Sequence, residues 1–290
     1  MRYEFIDRHR EEFTVNVLCH TLNVSRSGYY AWRDRPLSER DWVNQSIVTE
    51  MRAIHRESRQ TYGSPRVYAE LRFRGYPINR KRVERLMRLH GMAAKQRKKH
   101  RVVTTNADPN HPVAPNLLNQ DFTASRPNEK WAADISYIET AEGWLYLASI
   151  MDLFSRRIVG WAMADNLETD LPKSALAMAL QRRCPPKGLI QHSDRGSQYT
   201  SAAYQAVLAE AEIQVSMSGT GNCYDNAAKE SFFGTLKMEH VYWCEYKTRA
   251  EGRASIFEYI EVFYNRRRRH STIGYHTPEE FERLYVATMS

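Results

Sequence analysis

Three residues, Asp134, Asp194 and Glu230, have the type and setting to do chemistry. Glu230 stands in "SMSGTGNCYDNAAKESFFGTLKMEH", residues 216–240, where a small, polar loop gives way to a helix-like run. Gly219, Gly221, Asn222, Asp225 and Asn226 are loop and cap formers, so a helix is expected to start near Asp225. A carboxylate on what looks like the inward face of that helix is costly to bury unless something compensates it. A metal ion would do so. With 34 acidic residues in the chain, a trio carries weight only through position. Asp134 falls inside a strand-like run after Ala132 and Ala133, Asp194 ends the buried-looking strand "LIQH", and Glu230 lies one or two turns into its helix. Strand ends and adjacent helix starts are where α/β sheets gather ligands. Three carboxylates there would bind hard cations through oxygen, Mg²⁺ above all. Two such ions, roughly 3.5–4 Å apart, stabilise the attacking and leaving oxygens of an in-line phosphoryl displacement. No covalent nucleophile is then needed, and either water or a DNA 3′-hydroxyl can attack.

The elements that must position these groups can be read in order. Residues 12–34 give helix, turn and helix, with Val15, Leu18, Leu22 and Val24 leading into the cap Ser25. A second helical unit follows in "WVNQSIVTEMRAIHRES", "GSPRVYAELRFRG" and "INRKRVERLMRLHGM", where Val83, Leu86, Met87 and Leu89 are spaced to face a core. Residues 103–128 are rich in Pro, Asn and Thr without periodicity and mark a boundary. Beyond Lys130 the order is three strands, helix, strand, helix, strand and long helix, which makes an α/β domain with a mixed sheet. The expected division is a helix-turn-helix over 1–42, a second helical DNA-binding unit over 43–102, a linker over 103–126, a catalytic core over 127–245 and a C-terminal helical segment with an arginine cluster over 246–290.

Charge is unevenly spread. Residues 1–101 hold 23 Lys and Arg against 11 Asp and Glu, or +12, leaving 19 against 23, or −4, for the remainder. The first third is therefore built to meet a polyanion, for which nucleic acid is the usual partner. Arg80, Lys81, Arg82, Arg85 and Arg88 project around the third helix of the second unit, and Lys95, Arg97, Lys98 and Lys99 lie in the basic run after it. These would grip phosphates without reading sequence. Arg266, Arg267, Arg268 and Arg269 are successive, so they cannot share one helix face, and DNA contact is expected of them. No apolar run approaches a membrane span, and "MRYEFIDRHR" is too charged for a signal peptide. Four cysteines without paired or metal-type spacing suit reduced thiols in the cytoplasm. His9, Cys19 and His20 lack the spacing for zinc.

Four linked motifs, "WAADISYI" (131–138), "GWLYLASIMDLFSRRIVGW" (143–161), "HSDRGSQYTS" (192–201) and "SMSGTGNCYDNAAKESFFGTLKME" (216–239), resemble the catalytic core of bacterial insertion-sequence transposases of the IS-three family, specifically its OrfB product. Asp194 and Glu230 are separated by 35 residues, the D,D-x35-E spacing of that family, and "YNRRRRHSTIGYHTPEEF" (264–281) is similar to its C-terminal segment. The resemblance covers residues 46 to about 283. It implies an RNase H-like fold of the retroviral-integrase type, with Asp134, Asp194 and Glu230 as the metal-binding triad for two Mg²⁺, replaceable by Mn²⁺. It also implies strand transfer at terminal inverted repeats, through a circular intermediate, by an oligomer on DNA near the bacterial nucleoid. An OrfA product, or an OrfA–OrfB fusion made by frameshifting, would be its partner. The chain shows no heptad run, so OrfB alone is the expectation.

The neighbours of the triad divide by role. His192 shares the strand face of Asp194 and could support the site or serve as a core histidine. Asn226, one turn before Glu230, could steady that carboxylate, and Lys237, seven residues beyond, shares the same face and could meet DNA near the scissile phosphate. Asp152 suits a structural role, and Trp131, Trp144 and Trp161 suit the core. Ser197 and Tyr199 have no activating base in sequence, which argues against a covalent nucleophile. Two alternatives share parts of this reading: a nuclease that only hydrolyses, and a DNA-binding regulator that occupies element ends.

Overall fold

The computed structural model describes residues 1–36, 38–95, 114–219 and 227–289. Its centre is a five-stranded sheet in the order β3-β2-β1-β4-β5. Strands β1 (Lys130–Thr140), β2 (Gly143–Asp152) and β3 (Ile158–Ala164) form an antiparallel meander, and β4 (Ile190–Ser193) and β5 (Gln214–Met217) add in parallel. The mixture follows from the connections. Two residues suffice between β1 and β2, whereas each parallel addition needs a helical crossover. Helix α7 (Asp170–Arg183) precedes β4, and α8 (Ser197–Thr200) and α9 (Ala202–Glu210) precede β5.

Strand alternation divides the core into two layers. Trp131, Ala133, Ala148, Ile150 and Val159 pack beneath α7 and α9, against Leu171, Ala175, Leu176, Tyr204 and Leu208. On the other face Ala132, Ile138, Leu145, Leu147 and Met151 meet α10 (Ala227–Glu239), α11 (Arg249–Glu258) and a π-helical stretch, Tyr259–Tyr264. The C-terminal segment thus belongs to the sheet's own packing, with Ile256, Tyr259, Ile260 and Phe263 buried there. Asp152 is fully buried and accepts from the backbone N–H of Asn128 (2.8 Å) and Phe154 (3.0 Å) and from Arg183 (3.2 Å). Its role is structural. Trp131 is core and Trp161 partly buried, but Trp144 is 46% exposed and stacks edge-on against Tyr137 at the sheet's rim.

Two helical units precede the sheet. Helices α1 (Arg2–His9), α2 (Val15–Thr21) and α3 (Arg26–Arg33) close around Ile6, Leu18, Cys19 and Tyr29, with Ser25 capping α3. Helices α4 (Glu39–Glu57), α5 (Ser64–Phe73) and α6 (Arg80–Leu89) share a larger core of Ile47, Met51, Ile54, Val67, Leu71 and Val83, with Ser38 and Asn79 as caps. Leu89 departs from expectation and is 66% exposed. At 3.6 residues per turn it lies roughly 110° round α6 from the mean direction of Val83, Leu86 and Met87.

Gly160 in β3 lets α7 press directly on the sheet. A Cβ there would lie 2.2 Å from the carbonyl oxygen of Ala175 and 2.7 Å from the Ala179 side chain. Because the obstruction is helix backbone, Gly160→Ala is expected to destabilise the fold by about 3 kcal/mol. A denaturant midpoint equal to that of the parent chain would contradict this.

Candidate active site

The pairing of β1 with β4 does the first part of the work. Their parallel register sets Ala132 beside His192, so two residues further along each chain Asp134 comes level with Asp194. Adjacent strands run about 4.8 Å apart. Asp134 also shares the face of Ala132 and Ile138, the face covered by α10, which carries Glu230 in its first turn. Beyond β4 the chain turns sharply. The Gly196 N–H donates to Asp194 Oδ1 at 3.0 Å, and a Cβ on Gly196 would stand 3.1 Å from that oxygen, so glycine leaves the loop room to fold back on the carboxylate.

Electrostatics ties the three carboxyls together. Burial, followed by the charge of Asp194, pushes the Asp134 carboxyl up to about 7, and Glu230 adds to the shift. The Lys229 ammonium and the Ile135 N–H, which donates to Asp134 Oδ1 at 2.8 Å, act in the opposite direction. Asp194 is also raised by burial, against the Gly196 N–H. Among the described residues, however, no three His, Cys, Asp or Glu side chains are drawn close enough to form a finished metal cage. What is assembled is an Asp134–Asp194 pair with Glu230 within range of its charge.

That donor set fits a divalent cation. All three groups offer hard oxygen, and a bound cation would offset the burial, and then the charge of Asp194, that together raise the Asp134 carboxyl. Asp134, Asp194 and Glu230 are the residues that would hold it.

Glu230 itself is exposed, so it does not occupy the inward position expected of it. The buried charge is its neighbour, Lys229, at 0% exposure. The reason is the stripe Lys229, Phe232, Phe233 and Leu236, at helical spacing i, i+3, i+4 and i+7, which faces the sheet and leaves Glu230 about 100° to one side. The Lys229 Nζ donates to Ser149 Oγ at 2.6 Å, and Ser149 is the cross-strand partner of Asp134. The same Nζ lies over the rings of Phe232 and Phe233, 4.5 and 5.0 Å from their centroids. Burial lowers the ammonium to about 7, while the half-buried Asp134 beside it draws it back up. Reading Lys229 as part of that apolar stripe would have found it in the sequence.

The supporting residues fall differently. His192 is buried and bonds to the hydroxyls of Ser216 (2.8 Å) and Ser218 (3.1 Å), which fastens β4 to the β5 end. Lys237 is half-buried, with Nζ 4.7 Å from the Tyr137 ring centroid; burial lowers its pKa and Asp134 raises it. Tyr199 is buried with its phenol pushed far up, so it is no nucleophile. Asn226, Arg97, Lys98 and Lys99 lie outside the described residues.

The basic residues expected on DNA divide into two groups. On α6, Lys81 and Arg88 are exposed and Arg85 is half-exposed, while Arg80 pairs with Glu84 (2.8 Å) and Arg82 with Asn44 (2.8 Å). The Lys95 Nζ stands 5.3 Å from the Trp243 ring centroid. Arg266 and Arg267 are exposed, Arg266 reaching Glu279 at 3.5 Å. Arg268 and Arg269 depart from the expectation of DNA contact, being only 5% and 7% exposed at the side chain. Arg268 grips Glu239 with two bonds of 2.7 and 2.8 Å, and Arg269 pairs with Glu70 and Glu280. The chain leaves its π-helical stretch here, so the second two of the four arginines turn inward to carboxylates that burial would otherwise strand.

Removing Lys229 removes the cation that keeps Asp134 partly ionised. In Lys229→Met the Asp134 carboxyl is expected to titrate above its parent value of about 7. A raised carboxyl stabilises the fold below its unfolded value of 3.8 and loses that contribution as pH rises through the folded value. The loss should therefore extend to higher pH in the variant. Carboxyl-carbon NMR measures this directly, and an unchanged or lower Asp134 midpoint would contradict the pairing.

Comparison with known proteins agrees with this architecture. A family model described as Integrase core domain matches residues 124–223, a second model of that description matches 230–284, and an HTH-like domain matches 42–100. The chain is 46% identical over 289 residues to "Transposase InsF for insertion sequence IS3A" of Escherichia coli (strain K12), covering 99% of this chain and 100% of that one. It is 45% identical over 268 residues to the "Insertion element IS600 uncharacterized 31 kDa protein" of Shigella sonnei, covering 92% and 98%. Among solved structures, the HTLV-2 integrase catalytic core domain in complex with magnesium (dimeric form) aligns with a TM-score of 0.42 at 16% identity, covering 55% of this chain and 98% of that one. Full-length identity at this level, over the integrase-core and helix-turn-helix-like regions alike, means that the chain belongs to the IS3 family of transposases, enzymes of the DDE polynucleotidyl transferase superfamily.

Proposed function

We propose that this transposase cleaves and joins phosphodiesters at the terminal inverted repeats of its insertion sequence, with Asp134, Asp194 and Glu230 as the metal-holding triad. The observation that carries this reading is the β1–β4 register, which sets Ala132 beside His192, two residues short of both aspartates, with Asp194 near enough for its charge to raise the Asp134 carboxyl after burial has done so. The 35 residues between Asp194 and Glu230 support it. Two Mg²⁺, or Mn²⁺ in their place, would supply Lewis-acid stabilisation of the attacking and leaving oxygens. The chain's own residues have simpler tasks. Asp134 would offer its carboxylate oxygens once a cation offset the burial and the Asp194 charge that raise it, and the Gly196 N–H donates to Asp194 Oδ1 and fixes that carboxylate in one orientation. Lys237, half-buried against Tyr137 on the same face of α10 as Glu230, would meet the DNA backbone beside the reacting phosphate.

DNA ends and target would be bound by the basic face of α6, by the run after it and by Arg266 and Arg267. Action at paired ends calls for an oligomer, with an OrfA product or an OrfA–OrfB fusion as further partner in the bacterial cytoplasm. No described helix is long and apolar enough to cross a membrane.

Asp134→Asn, Asp194→Asn and Glu230→Gln should each lower strand transfer on element-end DNA by about a thousandfold. End binding should be retained. Wild-type transfer in any of the three would remove that residue from the site.

The arginine cluster gives a second test. Arg267→Ala is expected to weaken end binding and to flatten its dependence on log salt by about one unit without altering the melting temperature. Arg268→Ala should lower the melting temperature instead, because it strands Glu239. Equal effects of the two on salt dependence would show that the inward and outward arginines had been wrongly separated.

A further inference from the structure

We propose that Glu239 is a positioning residue for Glu230, and that the second helix-turn-helix unit takes part in that positioning through Arg66. The inference rests on the assignment of Glu230 to the metal-holding triad. Both glutamates belong to α10, Glu230 in its first turn and Glu239 at its end. Nine residues of helix separate them by about 13.5 Å. Between them Phe232, Phe233 and Leu236 hold the helix to the sheet by apolar contact. Such contact is non-directional and resists sliding weakly.

The C-terminal end supplies the direction that the middle lacks. Four donors from three separate parts of the chain converge on the Glu239 carboxylate. Arg268 Nε and Nη2 donate at 2.7 and 2.8 Å, the Tyr259 hydroxyl at 3.2 Å and Arg66 Nη1, from α5, at 3.3 Å. A two-pronged guanidinium–carboxylate pair fixes orientation as well as distance. The next residue, His240, is held as well, by Ser255 Oγ at 2.7 Å and by Arg59 Nη1 at 3.2 Å. Arg59 comes from the turn between α4 and α5, pairs with Glu258, and lies over the Phe263 ring at 4.7 Å. Tyr62 completes the joint, donating its hydroxyl to the Arg267 carbonyl at 3.0 Å and accepting from the Arg269 N–H at 2.7 Å.

The far end of α10 is therefore clamped between the DNA-binding unit and the C-terminal segment. A helix moves as a unit, so the clamp at this end, together with the Lys229–Ser149 bond at the other, sets where its first turn stands over Asp134 and Asp194. Metal and phosphate chemistry tolerate little error there, since a misplacement of about 1 Å costs on the order of a hundredfold in rate. Glu239 acts through Glu230, and Arg66 makes the placement of a catalytic carboxylate depend on how the helix-turn-helix unit is docked.

The test uses the full chain and Mn²⁺ alone as probe, its binding followed by electron paramagnetic resonance without DNA, alongside strand-transfer kinetics on element-end DNA. Glu239→Gln is expected to weaken Mn²⁺ binding about tenfold, as groups behind metal ligands commonly do. Arg66→Gln keeps the Glu239–Arg268 pair and should weaken it about threefold. Both should lower kcat while leaving KM for DNA unchanged. Arg66→Gln also carries the test should Glu239→Gln fail to fold. A fall in melting temperature with Mn²⁺ affinity and kcat intact in both variants would overturn the proposal and leave the clamp purely structural. A raised KM with a flattened salt dependence in Arg66→Gln, at unchanged kcat, would overturn it in favour of a direct DNA contact. Glu230→Gln is the control: normal Mn²⁺ binding in that variant would remove the triad assignment itself, and with it the proposal.

Discussion

The parallel pairing of β1 with β4 is the constraint on which the rest of the molecule depends. It matches Lys130, Trp131 and Ala132 with Ile190, Gln191 and His192, and so carries Asp134 and Asp194 to the same level at the edge of that pairing. Two carboxyls brought together this way, in surroundings already short of water, oppose each other's ionisation. The effect is visible at Asp134, held at about 7 by burial and by Asp194. The fold stores an electrostatic conflict at one point and supplies a partial answer in Lys229, anchored on Ser149 directly across from Asp134. A divalent cation would supply the larger answer.

The same economy of charge explains how the outer parts are joined. Helix α10 has a buried charge at each end of its apolar stripe, Lys229 at the start and Glu239 at the finish, and each is met by opposite charge from elsewhere in the chain. Arg268 and Arg269 are spent on this joinery, which leaves Arg266 and Arg267 facing outward. Elsewhere along the sheet, Arg183 bridges Asp152 and Glu282, and the latter also takes Arg157 and Ser155. Pairs of this kind add little net stability but are costly to break singly, so they specify arrangement more than they strengthen it.

Much of this was legible before any coordinates. The order of three strands, helix, strand, helix, strand and long helix beyond Lys130 follows from alternation and apolar spacing, and the structure has that order with the short α8 added before α9. The positions of Asp134 and Asp194 at strand and strand end followed with them. The facing of α10 did not, because attention to Glu230 hid the stronger signal of the stripe it stands beside. Nor did the inward turn of Arg268 and Arg269, since no sequence rule assigns faces to four successive arginines where a helix unwinds. Spacing suggests the core for Leu89 and residue type suggests it for Trp144, but a helix end and a sheet rim leave apolar side chains exposed without penalty large enough to exclude them. The carboxylates of Glu239, Glu70 and Glu280 that receive the arginines come from distant parts of the chain, and only folding pairs them.

The most direct measurement is anomalous scattering from crystals of the full chain grown with Mn²⁺ and element-end DNA. The account predicts manganese between Asp134 and Asp194 with a Glu230 oxygen in the coordination shell at about 2.2 Å, the distance expected for a hard divalent ion on carboxylate. Manganese bound elsewhere, or bound to the two aspartates with Glu230 turned away while DNA lies in the site, would contradict it.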